Sequence, residues 1–250
     1  MARLTRLLKL YLFWVAAYLV ADHFLHFWKT ERPVIDLIFG GGAGFHLWFI
    51  SGLIQCLALY YLLRVRLKLG WPALFALSGC LYLGNVLANS YALLPGLGWN
   101  PHDGPFFGLV FFCFGAWLRS TNRSAGRPVL LFGALLALTA LNTAELGLMK
   151  WLGIPKPFGI PDVRMMTLPL GLTAMLCVVS LRHLEPAQSA GYVALNALAN
   201  ASLGVYATHV LVIKLLTPLG LPGELVYVAT VIITIPLVLL LARTPLKRFV

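Results

Sequence analysis

Six histidines and eight carboxylates are spread over 250 residues, so their positions carry weight. His46 opens the apolar run Leu47-Trp48-Phe49-Ile50, directly after the flexible stretch Gly40-Gly41-Gly42-Ala43-Gly44. Asp22, His23 and His26 close the first apolar run, with His23 and His26 about a helical turn apart and Asp22 facing His26 at i,i+4. Glu145 stands inside one apolar run, Asn85, Asn89 and Ser90 inside another, and Tyr206 and His209 inside a third. Imidazole is the side chain best placed to move a proton near neutral pH, and a neighbouring carboxylate can orient it. At the other extreme of the chain chemistry, Arg3-Leu4-Thr5-Arg6 puts two guanidinium groups about one turn apart, an arrangement suited to gripping phosphate by paired hydrogen bonds.

Each of these groups also has a plainer reading. No third ligand is obvious beside Asp22, His23 and His26, so an interfacial histidine pair held by Asp22 is preferred to a metal site, and no metal is expected. His46 beside Trp48 fits an interfacial anchor as well as a functional role. Glu145 is harder to dismiss: a carboxylate that deep needs a partner or a raised pKa, and it reads as functional. Arg3 and Arg6 alone read as a positively charged cap that sets topology. Lys214, near the end of a run, snorkels outward. Cys56, Cys80, Cys113 and Cys177 all fall in apolar runs without a C-x-x-C pair and read as small buried hydrophobes.

The elements that must position these groups follow from composition. The chain is 60% hydrophobic and only 11% charged, which fits a polytopic membrane protein rather than a soluble domain. Its apolar runs are continuous rather than alternating, so the expected fold is all-α, a transmembrane helical bundle of about eight spans. The spans are placed at Leu8–Trp28, His46–Leu63, Trp71–Leu94, Pro105–Leu118, Pro128–Leu148, Met165–Leu181, Val193–Leu216 and Leu225–Leu241, the fourth being short. The net charge of +11 suggests nucleic acid at first, but the basic residues sit in short groups between apolar runs. Thirteen of them fall on one side, from Arg3, Arg6 and Lys9 through Arg64, Arg66, Lys68, Arg119, Arg123, Arg127 and Arg182 to Arg243, Lys247 and Arg248, against five on the other. That asymmetry places both termini in the cytoplasm and removes nucleic acid as a partner. Asp22, His23, His26, His46, Asn85, Asn89, Ser90, Asn142 and Glu145 then gather towards the outer face, where they could form a polar cavity. The segment Gly153–Pro161 cannot be a regular helix and reads as an outer loop and a candidate lid. The N-x-[ST] matches at Asn122 and Asn200 read as chance.

Together these pieces resemble the acyltransferase-3 family of integral membrane O-acyltransferases. Arg3-Leu4-Thr5-Arg6 looks like the family's R-x-x-R motif at the start of its third helix. His46-Leu47-Trp48-Phe49-Ile50 resembles its HLWF(L) segment. Phe106-Phe107-Gly108-Leu109 through Phe114-Gly115-Ala116-Trp117-Leu118-Arg119 is similar to its F-x-x-G-x-x-L helix. Ser202-Leu203-Gly204-Val205-Tyr206-Ala207-Thr208-His209 looks like its S-x-G-x-Y-x-x-H helix. Each motif is loose alone; their order and spacing across nearly the whole chain make the match fairly specific.

The resemblance implies transfer of an acyl group, usually acetyl, from cytoplasmic acyl-CoA to a hydroxyl of an envelope glycan, a lipid or a similar acceptor. It implies one membrane-embedded domain over residues 1–250, in the cytoplasmic membrane of a bacterium. Arg3 and Arg6 would hold the acyl-CoA phosphates. His46, with Glu145 or Asp22 orienting it, is the best candidate for the base. His209 and Tyr206 would line the tunnel between CoA and acceptor, and Asp22, His23, His26, Trp48 and Asn89 the acceptor cavity. The resemblance also implies that the chain starts at the third family helix and is N-terminally short. The Arg and His that the family's first helix carries are not matched, so acyl-CoA binding without efficient turnover is expected. A small-solute or sugar-lipid transporter using the same outer cavity, and a non-catalytic remnant that binds a partner, are the rival readings.

Overall fold

Helices begin where proline or an extended residue releases the chain, and they run as long as the apolar composition lasts. In the computed structural model, residues 2–25, 33–35, 37–38, 47–91, 93, 104–121, 127–154, 163–181 and 190–249 are described. The principal helices among them are α1 (Ala2–Leu25), α2 (Trp48–Tyr60), α3 (Trp71–Asn85), α4 (Pro105–Thr121), α5 (Pro128–Trp151), α6 (Thr167–Leu181), α7 (Ala190–Leu216) and α8 (Gly223–Leu241). Among the described residues there is no strand. Pro105 and Pro128 start α4 and α5, where a missing N–H costs nothing because the first turn has no partner for it. The fold is thus the expected all-α set of eight apolar helices. Some ends differ: α1 starts six residues before the expected Leu8, and α5 runs on to Trp151.

Among the described residues, six helical stretches are long and apolar enough to cross a bilayer, and α4 and α6 are shorter. At 15 residues α6 rises only about 22 Å, short of the ~30 Å hydrocarbon core. By contrast α5 has 24 residues, a mean hydropathy of 1.8 and no buried part in its most apolar window. Val129 and Trp151 on it are 83% and 80% exposed. An apolar helix with so much exposed surface needs lipid as its solvent, so the chain is a multi-pass membrane protein.

Two helices end in π-helical turns. α2 continues through Tyr61–Arg66 and α3 through Val86–Ser90. The wider turn re-phases the second helix, so Asn85, Val86, Ala88, Asn89 and Ser90 are all buried together. Sequence periodicity carries no signal for such an insertion.

The chain divides into two compact units, with the boundary inside α2 between Ile54 and Gln55. The terminal unit, Met1–Ile54 with Pro186–Val250, holds α1, the start of α2, α7 and α8. Its core is a stripe on α1, Leu10, Tyr11, Trp14, Val15 and Tyr18, packed with Leu47, Ile50, Ala201, Ala207 and Val238. The positions along α1 recur at i, i+4 and i+8, the register of one helix face. The middle unit, Gln55–Glu185, pairs α3 with α4 and α5 with α6, and α4 also touches α6. Its core has two clusters, one around Cys56, Leu74, Leu109 and Cys113, the other around Tyr82, Val86, Val110 and Val163.

Candidate active site

In the terminal unit, two of the four motif segments come together, and α1, which begins with a third, packs beside them. Leu47 and Ile50 of the His46–Ile50 segment are fully buried against α1 and α7. Phe49 lies edge-on to Tyr206, ring centroids 5.5 Å apart, and Tyr206 lies 5.8 Å from the His209 ring. From α1, the buried Tyr18 donates its hydroxyl to the Ala207 carbonyl at 3.0 Å. Tyr11, two turns earlier, donates to the Leu37 carbonyl, and Ser51 to the Ile38 carbonyl. A buried tyrosine needs a partner for its hydroxyl, so Tyr11 and Tyr18 on the core stripe were a legible sign of polar ties to α1.

His209 is half-buried, and its Nδ1 lies 2.6 Å from the Tyr206 carbonyl oxygen. A carbonyl only accepts, so the contact assigns a proton to Nδ1 and, in the neutral ring, the lone pair to Nε2, an arrangement compatible with a general base. Thr208, next to it, donates to the Gly204 carbonyl at 2.7 Å. On α8, Thr230 likewise donates back to Val226, whereas the buried Thr234 Oγ1 has no partner.

At the start of α1, Arg6 is exposed; the Arg3 side chain lies outside the described residues. At the far end of α1, Asp22 is half-exposed and His23 exposed, its ring edge-on to Phe24 at 5.2 Å. Trp48 is half-buried and edge-on to Phe49 at 6.0 Å. His26 and His46, and residues 155–162 of the expected outer loop, lie outside the described residues. Among the described residues, no His, Cys, Asp and Glu side chains group as metal ligands.

Asn89 and Glu145 belong to the middle unit. There Glu145 is bound on three sides. Its Oε1 accepts from the Met165 N–H and its Oε2 from the Met166 N–H, both at 2.9 Å, and the Tyr91 hydroxyl donates to Oε1. The carboxylate therefore sits on the two backbone donors just ahead of α6, where the helix dipole favours negative charge. Burial first, then this hydrogen bond, push the Tyr91 phenol above its usual range and keep it a donor. Around it, Arg164 Nε donates to Asn142 Oδ1 at 3.1 Å, and Tyr82 donates to the Arg164 carbonyl at 2.6 Å. Asn89 donates to Asn85 at 2.9 Å, but Asn89 Oδ1 and Ser90 Oγ are buried with no partner among the described residues. Unsatisfied polar atoms of that kind mark a place where a water or a ligand hydroxyl would bind. The roles of Tyr91 and Arg164 escaped notice in the sequence because their partners Glu145 and Asn142 are 54 and 22 residues away.

No curated protein and no solved structure matches the chain. A family model described as an acyltransferase domain matches residues 1–243, a range containing all four motifs and both units' helices. The chain belongs to the acyltransferase-3 family of membrane acyltransferases.

Proposed function

We propose that the protein moves an acyl group, acetyl in the simplest case, from cytoplasmic acyl-CoA to a hydroxyl of an envelope glycan, lipid or similar acceptor. His209 is the base in this reading, and the observation that carries it is the Nδ1–H bond to Tyr206, which leaves the lone pair on Nε2. Depth supports the assignment. The Tyr18–Ala207 bond ties the height of His209 to α1, and Tyr18 is twelve residues beyond Arg6, or about 18 Å along the helix. An acyl-CoA held by its phosphates at Arg3 and Arg6 has an extended pantetheine arm to cover such a distance. The thioester would then lie inside the membrane, close to His209.

In the transfer step the acceptor oxygen attacks the thioester carbonyl carbon. A C–O bond forms, and Nε2 of His209 takes the hydroxyl proton. As the tetrahedral intermediate collapses, the C–S bond breaks and the CoA sulfur leaves. The proton returns from His209 to that sulfur, and the imidazole is neutral again. Asp22, His23, Trp48 and Tyr206 in the terminal unit are the groups to which an acceptor would be hydrogen-bonded or packed.

The test is acetyl-CoA consumption by the purified protein with a pool of envelope glycans and lipids, alongside acetyl-CoA binding. A positioned base contributes about 10²–10⁴-fold, so His209→Ala should lose turnover on that scale and keep its acetyl-CoA affinity. His46→Ala is the paired variant, because His46 is the other histidine the motifs supply. Loss confined to His46→Ala would move the base to that residue. A parent chain that neither binds nor consumes acetyl-CoA would sink the transferase reading and favour a transporter.

A further inference from the structure

We infer that the C-terminal turn is part of the acyl-CoA site, with Arg243 and Lys247 joining Arg6 in holding the phosphates of the nucleotide end. This rests on the acyl-CoA reading above. Arg6 lies one turn before Leu10, on the face of α1 that faces the unit's core. Leu241 and Ala242, at the end of α8, pack against that same core. The next residue is Arg243. Beyond it a 3-10 turn, Pro245–Phe249, lies against α1. Segments from opposite ends of the sequence thus bring Arg6, Arg243 and Lys247, all exposed, to one end of one unit.

A topological cap requires only charge near a membrane face and no fixed conformation. This turn has one. Arg243 N donates to the Leu240 carbonyl at 2.9 Å, and Lys247 N to the Thr244 carbonyl at 3.1 Å. Thr244 Oγ1 accepts from Leu246 N at 3.1 Å and donates to the Leu241 carbonyl at 2.8 Å. The backbone carrying both cations is therefore held in place. The field there is also of one sign. Among the described residues of this unit the carboxylates are Asp22 and Glu224. Asp22 is sixteen residues beyond Arg6 and Glu224 nineteen before Arg243, about 24 and 28 Å along their helices. CoA carries a pyrophosphate and a separate 3′-phosphate, more charge than one arginine pair can meet, and spread over more than one point.

The experiment is equilibrium binding of acetyl-CoA and of its analogue lacking the 3′-phosphate to the full chain in uncharged detergent. The expected result is that Arg243→Gln/Lys247→Gln binds acetyl-CoA at least about tenfold more weakly and loses the parent's preference over the dephospho analogue. The charge-keeping pair Arg243→Lys/Lys247→Arg should retain most of the affinity. A charge-matched control in the middle unit, Arg66→Gln/Arg127→Gln, should bind like the parent. Thermal unfolding of each variant separates lost binding from lost folding. If the parent binds acetyl-CoA and the double Gln variant binds it equally well, the inference is wrong and the acyl-CoA reading stands. If the double variant loses only its retention on phosphatidylglycerol vesicles, the cations serve lipid headgroups and the inference is again wrong. If the parent binds no acetyl-CoA, the acyl-CoA reading itself falls.

Discussion

Glu145 shows how an intramembrane carboxylate can be stabilised by backbone and side-chain donors. The sequence marked it as a group needing a partner; the structure supplies the two N–H groups just ahead of α6 and the Tyr91 hydroxyl. The rest of the α6 start is also satisfied. Thr167 N donates to the Arg164 carbonyl at 3.1 Å, and Pro169 has no N–H to place. Hydrogen bonds to a charged group are worth roughly 1.5–3 kcal/mol each. Glu145→Ala should therefore lower the thermal midpoint by on the order of 10 °C, with Glu145→Gln falling between it and the parent. Turnover per folded molecule should be unchanged by Glu145→Gln. A Gln variant with the parent's midpoint and no turnover would make Glu145 a catalytic residue instead. Its need for a partner was legible because burial of charge is a local property of the sequence. The identity of the partner was not, because Tyr91 is separated from it by 54 residues.

At the level of elements, glycine decides how closely the middle unit's helices approach. A Cβ at Gly108 would lie 3.1 Å from Cys56 Sγ, which gives the glycine of the Phe106–Leu109 motif a packing role against α2. A Cβ at Gly171 would lie 2.5 Å from Phe111 Cε1, too close for any real contact. The α4–α6 contact thus depends on Gly171 and the Phe111 ring. Gly171→Ala should destabilise the protein by about 1–3 kcal/mol, the usual cost of overpacking. Adding Phe111→Leu should recover part of the loss, which thermal unfolding of the single and double variants would measure. Equal stability of Gly171→Ala and the parent would mean that the two helices are not held at this distance. Helix starts at Pro105 and Pro128 were legible, since proline has few places to go. The π-turn at Val86–Ser90 was not, and it is what buries Asn89 and Ser90 on the same side as Asn85.

For the whole molecule, hydropathy reports which segments meet lipid but not which helices pair, so the eight helices were legible and the division at Ile54–Gln55 was not. Orientation depends on charge rather than packing. The proposed acyl-CoA site depends on it, since acyl-CoA is cytoplasmic and Arg6, Arg243 and Lys247 would have to face it. The basic loops put Ser120, at the end of α4, on that side, and Leu152, just past α5, on the other. Both are exposed, and neither carries charge whose removal would alter the topology signal. Ser120→Cys and Leu152→Cys can be probed with a charged, impermeant maleimide on intact cells. Cys56 and Cys113 should remain silent because they are fully buried, and Cys80 because its exposed surface midway along α3 meets lipid; the half-buried Cys177 is replaced by serine in the background. Leu152→Cys should label in intact cells and Ser120→Cys only after permeabilisation. The reverse pattern would turn the molecule over. The paired arginines would then face away from acyl-CoA, and the polar end around Asn89 and Glu145 would become the cytoplasmic one.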